Sequence, residues 1–280
     1  MIRACIFDLG GTLVDRYSLV PLLALKKTFE KYNIDVEEKL LIKDMGKHKL
    51  NHIQDILNYD EIKKQENYHT LNDMKIYNDF KKIQLDKTKK YMNILPETKN
   101  CINYLQENNI KCGVTTGFHK EQVNLVKNLL ESKNVYLDNY ISSTCLDKPS
   151  RPYPYMIEEN MKQFKIDDPH HVIKIDDTCV GIKEGLNAKC WTVGVARWSV
   201  NMDVYNMIEA DKIDDYYTMC EDIYWSTILK DSKLKESKKK LKDSGAHFVI
   251  DTLDDLKNII VKINKMNEMY MTPKQYTKKL

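Results

Sequence analysis

Asp8 is the first residue of the chain whose type and setting suit chemistry. It follows residues 2–7, an apolar run that predicts a short buried strand, and it precedes Gly10 and Gly11, whose amides can approach an anion closely. A carboxylate in that setting suits metal binding or nucleophilic attack. Taken alone, however, residues 8–12 more often form an Asx-turn at the end of a strand, so other positions must decide.

Three further polar groups fall at comparable places. Residues 115–117 (Thr-Thr-Gly) supply hydroxyls, Arg151 supplies a cation, and Asp176 and Asp177 supply paired carboxylates. Carboxylates that a sheet brings together form a hard oxygen site suited to Mg²⁺, which would offset their repulsion and bind a phosphoryl oxygen. Each piece is weak evidence alone, but together they predict a phosphoryl-transfer site.

The elements that must position these groups follow an alternating pattern. Strands separated by helical stretches predict a parallel sheet covered on both faces, in which ligands bind at the carboxyl ends of the strands. The polar groups all fall at such ends. The predicted strands are 2–7, 111–115, 136–141, 172–175, 190–195 and 245–250, and the helices 97–108, 119–131, 153–164, 178–187 and one reaching about 266.

Residues 18–95 break this alternation. They show helical periodicity, many Lys, Glu and Asn residues and no strong strand signal, which predicts a helical cap domain inserted into a core formed by residues 1–17 and 96–280. Residues 197–244 form a second, mostly helical excursion with little chemical character.

The amino-acid composition limits which binding partners and which cellular compartment we expect. The net charge is only +3, and the basic run at residues 230–242 contains acids and lacks interleaved aromatics, so it predicts a solvated helix face and no nucleic-acid partner. Seven cysteines without ligand-like spacing predict reduced thiols. No run is long enough to span a membrane, and we expect a cytoplasmic protein.

The order of these motifs resembles the haloacid dehalogenase superfamily: an Asp nucleophile, then Ser or Thr, a basic residue and an acidic metal ligand. The resemblance covers nearly the whole chain and implies a Rossmann-like α/β core with a small inserted helical cap. In that superfamily the first loop usually reads D-x-D-G-T, and the second Asp protonates an alkoxide leaving group. This chain has Gly10 at that position.

Gly10 and the segment at residues 45–52 together resemble the phosphonoacetaldehyde hydrolase branch. That branch also has a small residue in place of the second Asp, and it carries M-G-x-x-K-x-x-H in its cap, where this chain reads Met-Gly-Lys-His-Lys-Leu-Asn-His. The resemblance implies that Lys49 forms an imine with an aldehyde. In isolation, Lys47 and Lys49 would read as surface lysines of a Lys-rich helix.

The chemistry explains why an amine would be needed. A C–P bond breaks heterolytically only if the carbon can pass its electrons to a sink, and a protonated imine on the neighbouring carbon is such a sink. A free lysine has a pKa of about 10.4. Nearby charges from Lys47, His48 and His52, with partial burial, would lower the pKa of Lys49.

The resemblance also implies the remaining roles. Asp8 would be the nucleophile, and Mg²⁺ would be held by Asp8, the Gly10 carbonyl and Asp177. Cap helices of the related enzymes often make a dimer contact, so the resemblance also implies a homodimer. The implied contacts to a small anionic substrate are Gly11, Thr12, Met45, His52, Thr115, Thr116, Gly117 and Arg151.

Three positions depart from the branch. Gly181 stands where a second aspartate follows the metal ligand, Phe118 replaces a tyrosine, and Ser18 replaces a cysteine near the cap entrance. Asp176, where Gly is common, would compensate for Gly181 if its side chain pointed toward the site. Two alternatives therefore stay open: a phosphate-monoester phosphatase, in which Lys49 only attracts the anion, and a catalytically weakened relative that acts as a binding or regulatory protein.

Overall fold

A six-stranded sheet forms the centre of the structure, a computed structural model that describes residues 1–204 and 227–277. The strand order is β3-β2-β1-β4-β5-β6, and all neighbouring strands run parallel. This confirms the expected Rossmann-like α/β fold. The strands are β1 Ala4–Phe7, β2 Lys111–Thr116, β3 Asn139–Ser142, β4 Val172–Asp176, β5 Trp191–Val195 and β6 Phe248–Ile250.

The central strand β1 shows why this part of the sequence forms a sheet. Its four residues are apolar and fully buried, the pattern of a parallel strand that is covered on both faces. Phe7 pairs with Val114 on one side and with Ile175 on the other. The residues that follow these three positions therefore emerge together at one edge of the sheet.

Helices cover the sheet and form the insertion between β1 and β2. The strand β3 begins at Asn139, later than the predicted residue 136, because the Asp138 carboxylate accepts a hydrogen bond from the Cys112 amide just before the ladder starts. The helices are α1 Leu19–Lys31, α2 Glu38–Lys43, α3 Lys49–Leu57, α4 Asp60–Lys63, α5 Asp73–Tyr91, α6 Thr98–Glu107, α7 Lys120–Ser132, α8 Tyr155–Phe164, α9 Cys179–Asn187, α10 Thr227–Asp243, α11 Leu256–Glu268 and α12 Pro273–Thr277.

The helical insertion, residues 18–95, contains α1 to α5. The chain leaves and re-enters the core through two adjacent segments: the Asp15 amide donates to the Asn93 carbonyl and the Leu95 amide donates to the Leu13 carbonyl, both at 2.9 Å. These bonds place the connections side by side, as expected for an inserted unit. That the insertion is a separate cap domain stays a proposal.

The second helical excursion falls partly outside the described residues. Of the predicted stretch 197–244, residues 205–226 are not described, while α10 carries the basic run at residues 230–242 on a helix as expected. Among the described residues, none of the helices has both the length and the apolar character needed to cross a bilayer.

Candidate active site

The predicted polar residues do meet at one edge of the sheet. Asp8 follows β1, Thr115 and Thr116 end β2, and Asp176 and Asp177 lie at the end of β4. All five are buried, and Asp8 is the most accessible of them at 6% exposed. Because the strands are parallel and in register, the fold itself produces this convergence.

Arg151 joins the acidic residues of the site. Its Nη1 lies 2.9 Å from Asp8 Oδ1, its Nε lies 2.8 Å from Glu184 Oε2, and its Nη2 lies 3.5 Å from Asp176 Oδ2. The side chain also donates to the Thr115 carbonyl oxygen and, at 2.8 Å, to the Thr115 hydroxyl. A guanidinium suits this position because its planar fork offers five donors.

Lys174 and Glu184 are site residues that the sequence reasoning did not assign. Lys174 lies on β4 with no exposed surface, and its Nζ is 2.9 Å from both Asp176 Oδ2 and Thr115 Oγ1. Glu184 accepts from the Thr115 hydroxyl at 2.9 Å. One signal existed in the sequence: Lys174 interrupts an otherwise apolar strand, and a buried lysine needs a carboxylate partner.

The donor set fits a divalent cation. Asp8, Asp176 and Asp177 each offer one oxygen, and these atoms lie within 4.8 Å of one another. On the sheet side of the site, four buried carboxylates (Asp8, Asp176, Asp177 and Glu184) face two buried cations, Arg151 and Lys174. If all are ionised, an excess of negative charge remains, which Mg²⁺ would neutralise with the oxygen ligands it prefers.

The pKa values of the acids reflect this crowding. Burial raises the pKa of Asp8 to about 6, although Arg151 pulls it down. Burial, with repulsion from Asp176 and Asp8, raises the pKa of Asp177 well above its usual value. The pKa of Asp176 is lowered because attraction to Lys174 and Arg151 outweighs its burial. A bound cation would favour the charged form of all three carboxylates.

A narrow cavity connects Asp8 with the helical insertion. Among the predicted site residues, its walls contain Asp8, Gly10, Met45, Lys49, Thr116 and Gly117. Its free volume of about 20 Å³ is room for about one water molecule, so a substrate could enter only if the cavity widened. The sheet and the insertion therefore contribute to one cavity.

Lys49 is a buried basic residue on the insertion side of the cavity. It is 3% exposed, its Nζ lies 3.2 Å from Met45 Sδ and 3.4 Å from His52 Nδ1, and α3 begins at this residue. Burial lowers the pKa of Lys49 to about 8, and attraction to Asp8 opposes that shift only in part. A neutral amine is therefore available near physiological pH.

Lys47 also lines the cavity but has the opposite character. Its ammonium pairs with Asp44 at 2.6 Å and with Asp55 at 2.9 Å. Burial alone would lower the pKa of Lys47, but the two carboxylates outweigh it and raise the pKa. Lys47 is therefore held as a cation, and Lys49 is the better nucleophile of the pair.

The insertion and the core approach closely at two glycines. A Cβ atom on Gly117 would lie 2.6 Å from the Lys47 carbonyl oxygen, and one on Gly46 would lie 2.7 Å from Thr178 Oγ1. Gly46 also has a φ of 97°, a conformation that side chains disfavour. These glycines allow the backbone before Lys49 to touch the loops that follow β2 and β4.

Ser18 and Phe118, two of the residues that differ from the phosphonoacetaldehyde hydrolase pattern, lie against Gly10. A Cβ on Gly10 would meet Ser18 Oγ at 3.3 Å and Phe118 Cζ at 3.4 Å. A longer acidic side chain at this position would need these neighbours to move. The space around position 10 is therefore tight for a general acid, the group that an alkoxide leaving group requires.

The other predicted substrate contacts lie behind the cavity wall. Thr12 is fully buried and donates to Asp177 Oδ1 at 3.2 Å, and Gly11, with a φ of 70°, packs against the same carboxylate. His52 has no exposed surface, and Thr115 is occupied by Arg151, Lys174 and Glu184. Their contact with substrate, like the metal contact of the Gly10 carbonyl, stays a prediction.

Comparison with known proteins gives a consistent result. A family model described as haloacid dehalogenase-like hydrolase matches residues 5–195. A phosphonoacetaldehyde hydrolase of Parabacteroides distasonis is 32% identical, with 95% of this chain and 98% of the relative covered. A bifunctional phosphonoacetaldehyde hydrolase/aminoethylphosphonate transaminase of Clostridioides difficile is 30% identical over 94% of this chain, which spans only 40% of that longer relative.

A solved structure agrees with the sequence relatives. The crystal structure of a phosphonoacetaldehyde hydrolase like protein from Oleispira antarctica superposes with a TM-score of 0.82 at 25% identity, covering 95% of this chain and 93% of the other. The similarity extends through the helical insertion as well as the sheet, because nearly all of both chains is covered.

Proposed function

The chain belongs to the haloacid dehalogenase-like hydrolase family, and on that premise we propose that it hydrolyses the C–P bond of phosphonoacetaldehyde to acetaldehyde and phosphate. Lys49 is the proposed imine-forming amine and Asp8 the proposed nucleophile. The resemblance of residues 45–52 to the branch supports this substrate, as do the named relatives.

One observation carries the proposal: a buried lysine of lowered pKa and a strand-end aspartate line the same narrow cavity. At pH 7 a lysine with a pKa of about 8 is roughly 10% neutral, whereas an ordinary lysine is neutral to well under 1%. The amine is thus prepared to attack a carbonyl carbon. An enzyme that used Lys49 only to attract an anion would gain nothing from this shift.

The proposed reaction begins at Lys49. Its neutral amine adds to the aldehyde carbon, and the adduct takes up a proton from solvent and loses water, which gives a protonated imine. Asp8 Oδ then attacks phosphorus, and the electron pair of the C–P bond moves into the iminium to give an enamine. Protonation of the enamine carbon restores an imine, whose hydrolysis releases acetaldehyde and free Lys49. Water hydrolyses the aspartyl phosphate and releases phosphate, so the overall reaction consumes one water.

The residues around Asp8 would assist this reaction by holding a metal ion, by orienting the Asp8 carboxylate and by restricting the space at Gly10. A Mg²⁺ ion held by Asp8, Asp177 and the Gly10 carbonyl would neutralise the excess negative charge and polarise a phosphoryl oxygen. Arg151 orients the Asp8 carboxylate through the contact at 2.9 Å. Ser18 and Phe118 crowd the space for an acid at position 10, and this route needs none, because the leaving group is carbon.

Reductive trapping tests the imine directly. Borohydride added with phosphonoacetaldehyde reduces the imine to a stable secondary amine, and peptide mass spectrometry should locate the adduct on Lys49. Lys49→Arg should abolish trapping, while Lys47→Arg, the matched control in the same cavity, should retain it. Active protein without an adduct on Lys49 would refute the imine route, and phosphomonoester hydrolysis that survives Lys49→Arg would favour a phosphatase.

A further inference from the structure

Gly181 and Asp176 occupy overlapping space. Gly181 lies in the first turn of α9, and a Cβ atom on it would fall within 3.0 Å of the Asp176 carboxylate carbon and of both its oxygens, closer than real Cβ atoms approach. The carboxylate at the end of β4 therefore fills the space into which a side chain at position 181 would extend. A side chain at position 181 would therefore require the Asp176 carboxylate to move from its present place.

The Asp176 carboxylate is held firmly in that space. Its Oδ1 accepts from the Thr178 amide at 2.9 Å and from the Thr178 hydroxyl at 2.7 Å. Its Oδ2 faces the cations Lys174 and Arg151, at 2.9 Å and 3.5 Å, but no donor in the described residues meets it at regular hydrogen-bonding geometry. One oxygen is thus fixed, and the other keeps capacity for a further cation.

The side chain also points toward the other acids. One Asp176 oxygen lies within 4.8 Å of ligand atoms on both Asp8 and Asp177, and the residue has no exposed surface. A fully buried carboxylate this close to two others is unfavourable unless cations compensate all of them. Lys174 and Arg151 supply two positive charges, and Glu184 takes up part of that charge.

We propose that Asp176 supplies the third carboxylate of the magnesium site from the strand, in place of a carboxylate at position 181, and that Gly181 is required to make room for it. The inference rests on the proposed function only in assuming a magnesium-assisted reaction. The absence of an acid at position 181 then reflects an exchange of positions, and the site keeps its full charge.

Magnesium titration of the substrate-free protein by calorimetry tests this exchange. Asp176→Asn keeps the shape but removes the charge, and we expect Mg²⁺ to bind about 10–100-fold more weakly, as when a partner near a metal ligand is lost. Asp176→Gly should weaken binding similarly, and Asp176→Gly/Gly181→Asp should recover most of the affinity. Undiminished Mg²⁺ affinity in Asp176→Asn would overturn the proposal, as would a folded double variant no better than Asp176→Gly.

Thermal unfolding provides a second readout that needs no metal. Gly181→Ala should lower the Tm of the wild-type protein because its Cβ meets the Asp176 carboxylate, but it should be tolerated in Asp176→Gly, where that space is free. Equal effects in both backgrounds would contradict the shared-space argument. If the double variant does not fold, two measurements still test the proposal: Mg²⁺ binding by Asp176→Asn, and the effect of Gly181→Ala on Tm in wild type and in Asp176→Gly.

These two experiments test the role of Asp176 independently of the proposed substrate. No phosphonoacetaldehyde is present in either experiment, and Lys49 takes no part in the exchange. A protein that shows the expected magnesium results but releases no phosphate from phosphonoacetaldehyde would contradict the proposed function alone. Intact activity with unaltered Mg²⁺ binding in Asp176→Asn would contradict this inference alone.

Discussion

Lys47 and Lys49 show how two identical side chains acquire different chemistry at the scale of single residues. Both line the cavity, yet Lys47 is paired with two aspartates and Lys49 lies against a thioether and an imidazole. The pKa of Lys47 rises and that of Lys49 falls to about 8. The two carboxylates keep Lys47 protonated, whereas burial without a paired carboxylate favours the neutral amine of Lys49.

The pH dependence of activity should report Lys49. In the proposed mechanism only the neutral amine attacks the aldehyde, so kcat/KM with saturating Mg²⁺ should rise roughly tenfold per pH unit from pH 6 toward 8 and then level off. Bound Mg²⁺ keeps Asp8 in its charged form over this pH range, so the rise in kcat/KM should reflect deprotonation of Lys49. Steady-state kinetics from pH 6 to 9.5 provide the measurement, and a flat profile would argue against a reactive amine.

Stability should show the cost of keeping Lys49 buried. Its pKa of about 8 in the folded protein lies below the ordinary 10.5, so the folded state disfavours the ammonium. Unfolding therefore takes up a proton between these values, and the destabilisation is complete below pH 8 and fades as pH rises toward 10.5. Each pKa unit corresponds to about 1.4 kcal/mol, so the effect amounts to a few kcal/mol.

We expect Lys49→Met to raise Tm by several degrees at pH 7 while abolishing activity. The gain should shrink by pH 10, when the wild-type amine is neutral, and scanning calorimetry at both pH values measures it. Lys47→Met is the control: it breaks two ion pairs and should not stabilise. A Lys49→Met protein that is less stable than wild type at pH 7 would contradict the assigned pKa.

The residues of the site were only partly predictable from the sequence. Asp8 and Lys49 follow recognisable patterns, and the structure places both at one cavity. Lys174 and Glu184 were missed because the partner that neutralises a buried charge is set by tertiary packing, not by local spacing. The Asp176 side-chain direction was left open for the same reason, since it depends on the helix that packs beside the strand.

At the scale of elements, the close approach of the insertion to the core depends on glycine. Gly117, in the loop after β2, lies so near the Lys47 and Gly46 carbonyls that no side chain fits. The backbone leading into α3 then carries Lys49 to the cavity. A contact between two loops therefore sets the position of Lys49, the proposed catalytic amine.

Gly117→Ala should hold the insertion away from the core. A new Cβ 2.6 Å from a backbone oxygen cannot be accommodated by side-chain rotation, so we expect kcat/KM to fall at least tenfold with the fold retained. Activity assays with circular dichroism provide the measurement. Gly245→Ala is the control, because Gly245 precedes β6 at the opposite edge of the sheet and its Cβ would meet the Leu186 side chain. Equal activities in the two variants would refute this role.

Element types were more predictable than their arrangement. Apolar runs such as β1 and the helical periodicity of residues 18–95 identified strands and helices correctly, and parallel strands followed from their alternation. The strand order and the late start of β3 did not follow. Order depends on which apolar faces pack together, and the start of β3 depends on one hydrogen bond that the Asp138 carboxylate accepts from the Cys112 amide.

At the scale of the whole molecule, the buried charge of the site links folding to metal binding. Carboxylates outnumber the cations on the sheet side, and they are drawn from strands β1 and β4 and from α9. Whatever neutralises them stabilises the contacts among these elements. A homodimer and a cytoplasmic location stay predictions, as does the independence of the helical insertion.

Magnesium should therefore stabilise the fold. At one hundred times its Kd, a ligand that binds only the folded state contributes about 2.7 kcal/mol, so Tm should rise by several degrees with Mg²⁺ and fall back with EDTA. Differential scanning fluorimetry measures the shift. Asp177→Asn should remove it, whereas Asp138→Asn, at the opposite end of β2, should preserve it. The same shift in both variants would place the metal elsewhere.

Phosphate release from phosphonoacetaldehyde tests the central claim most directly. With Mg²⁺, the wild-type protein should release one phosphate for each acetaldehyde, and so should Lys47→Arg. The rate of phosphate release by Lys49→Arg should fall to that of a reaction without enzyme. Folded wild-type protein that binds Mg²⁺ but releases no phosphate, or Lys49→Arg that still releases it, would contradict the assignment of this site to C–P bond hydrolysis through Lys49.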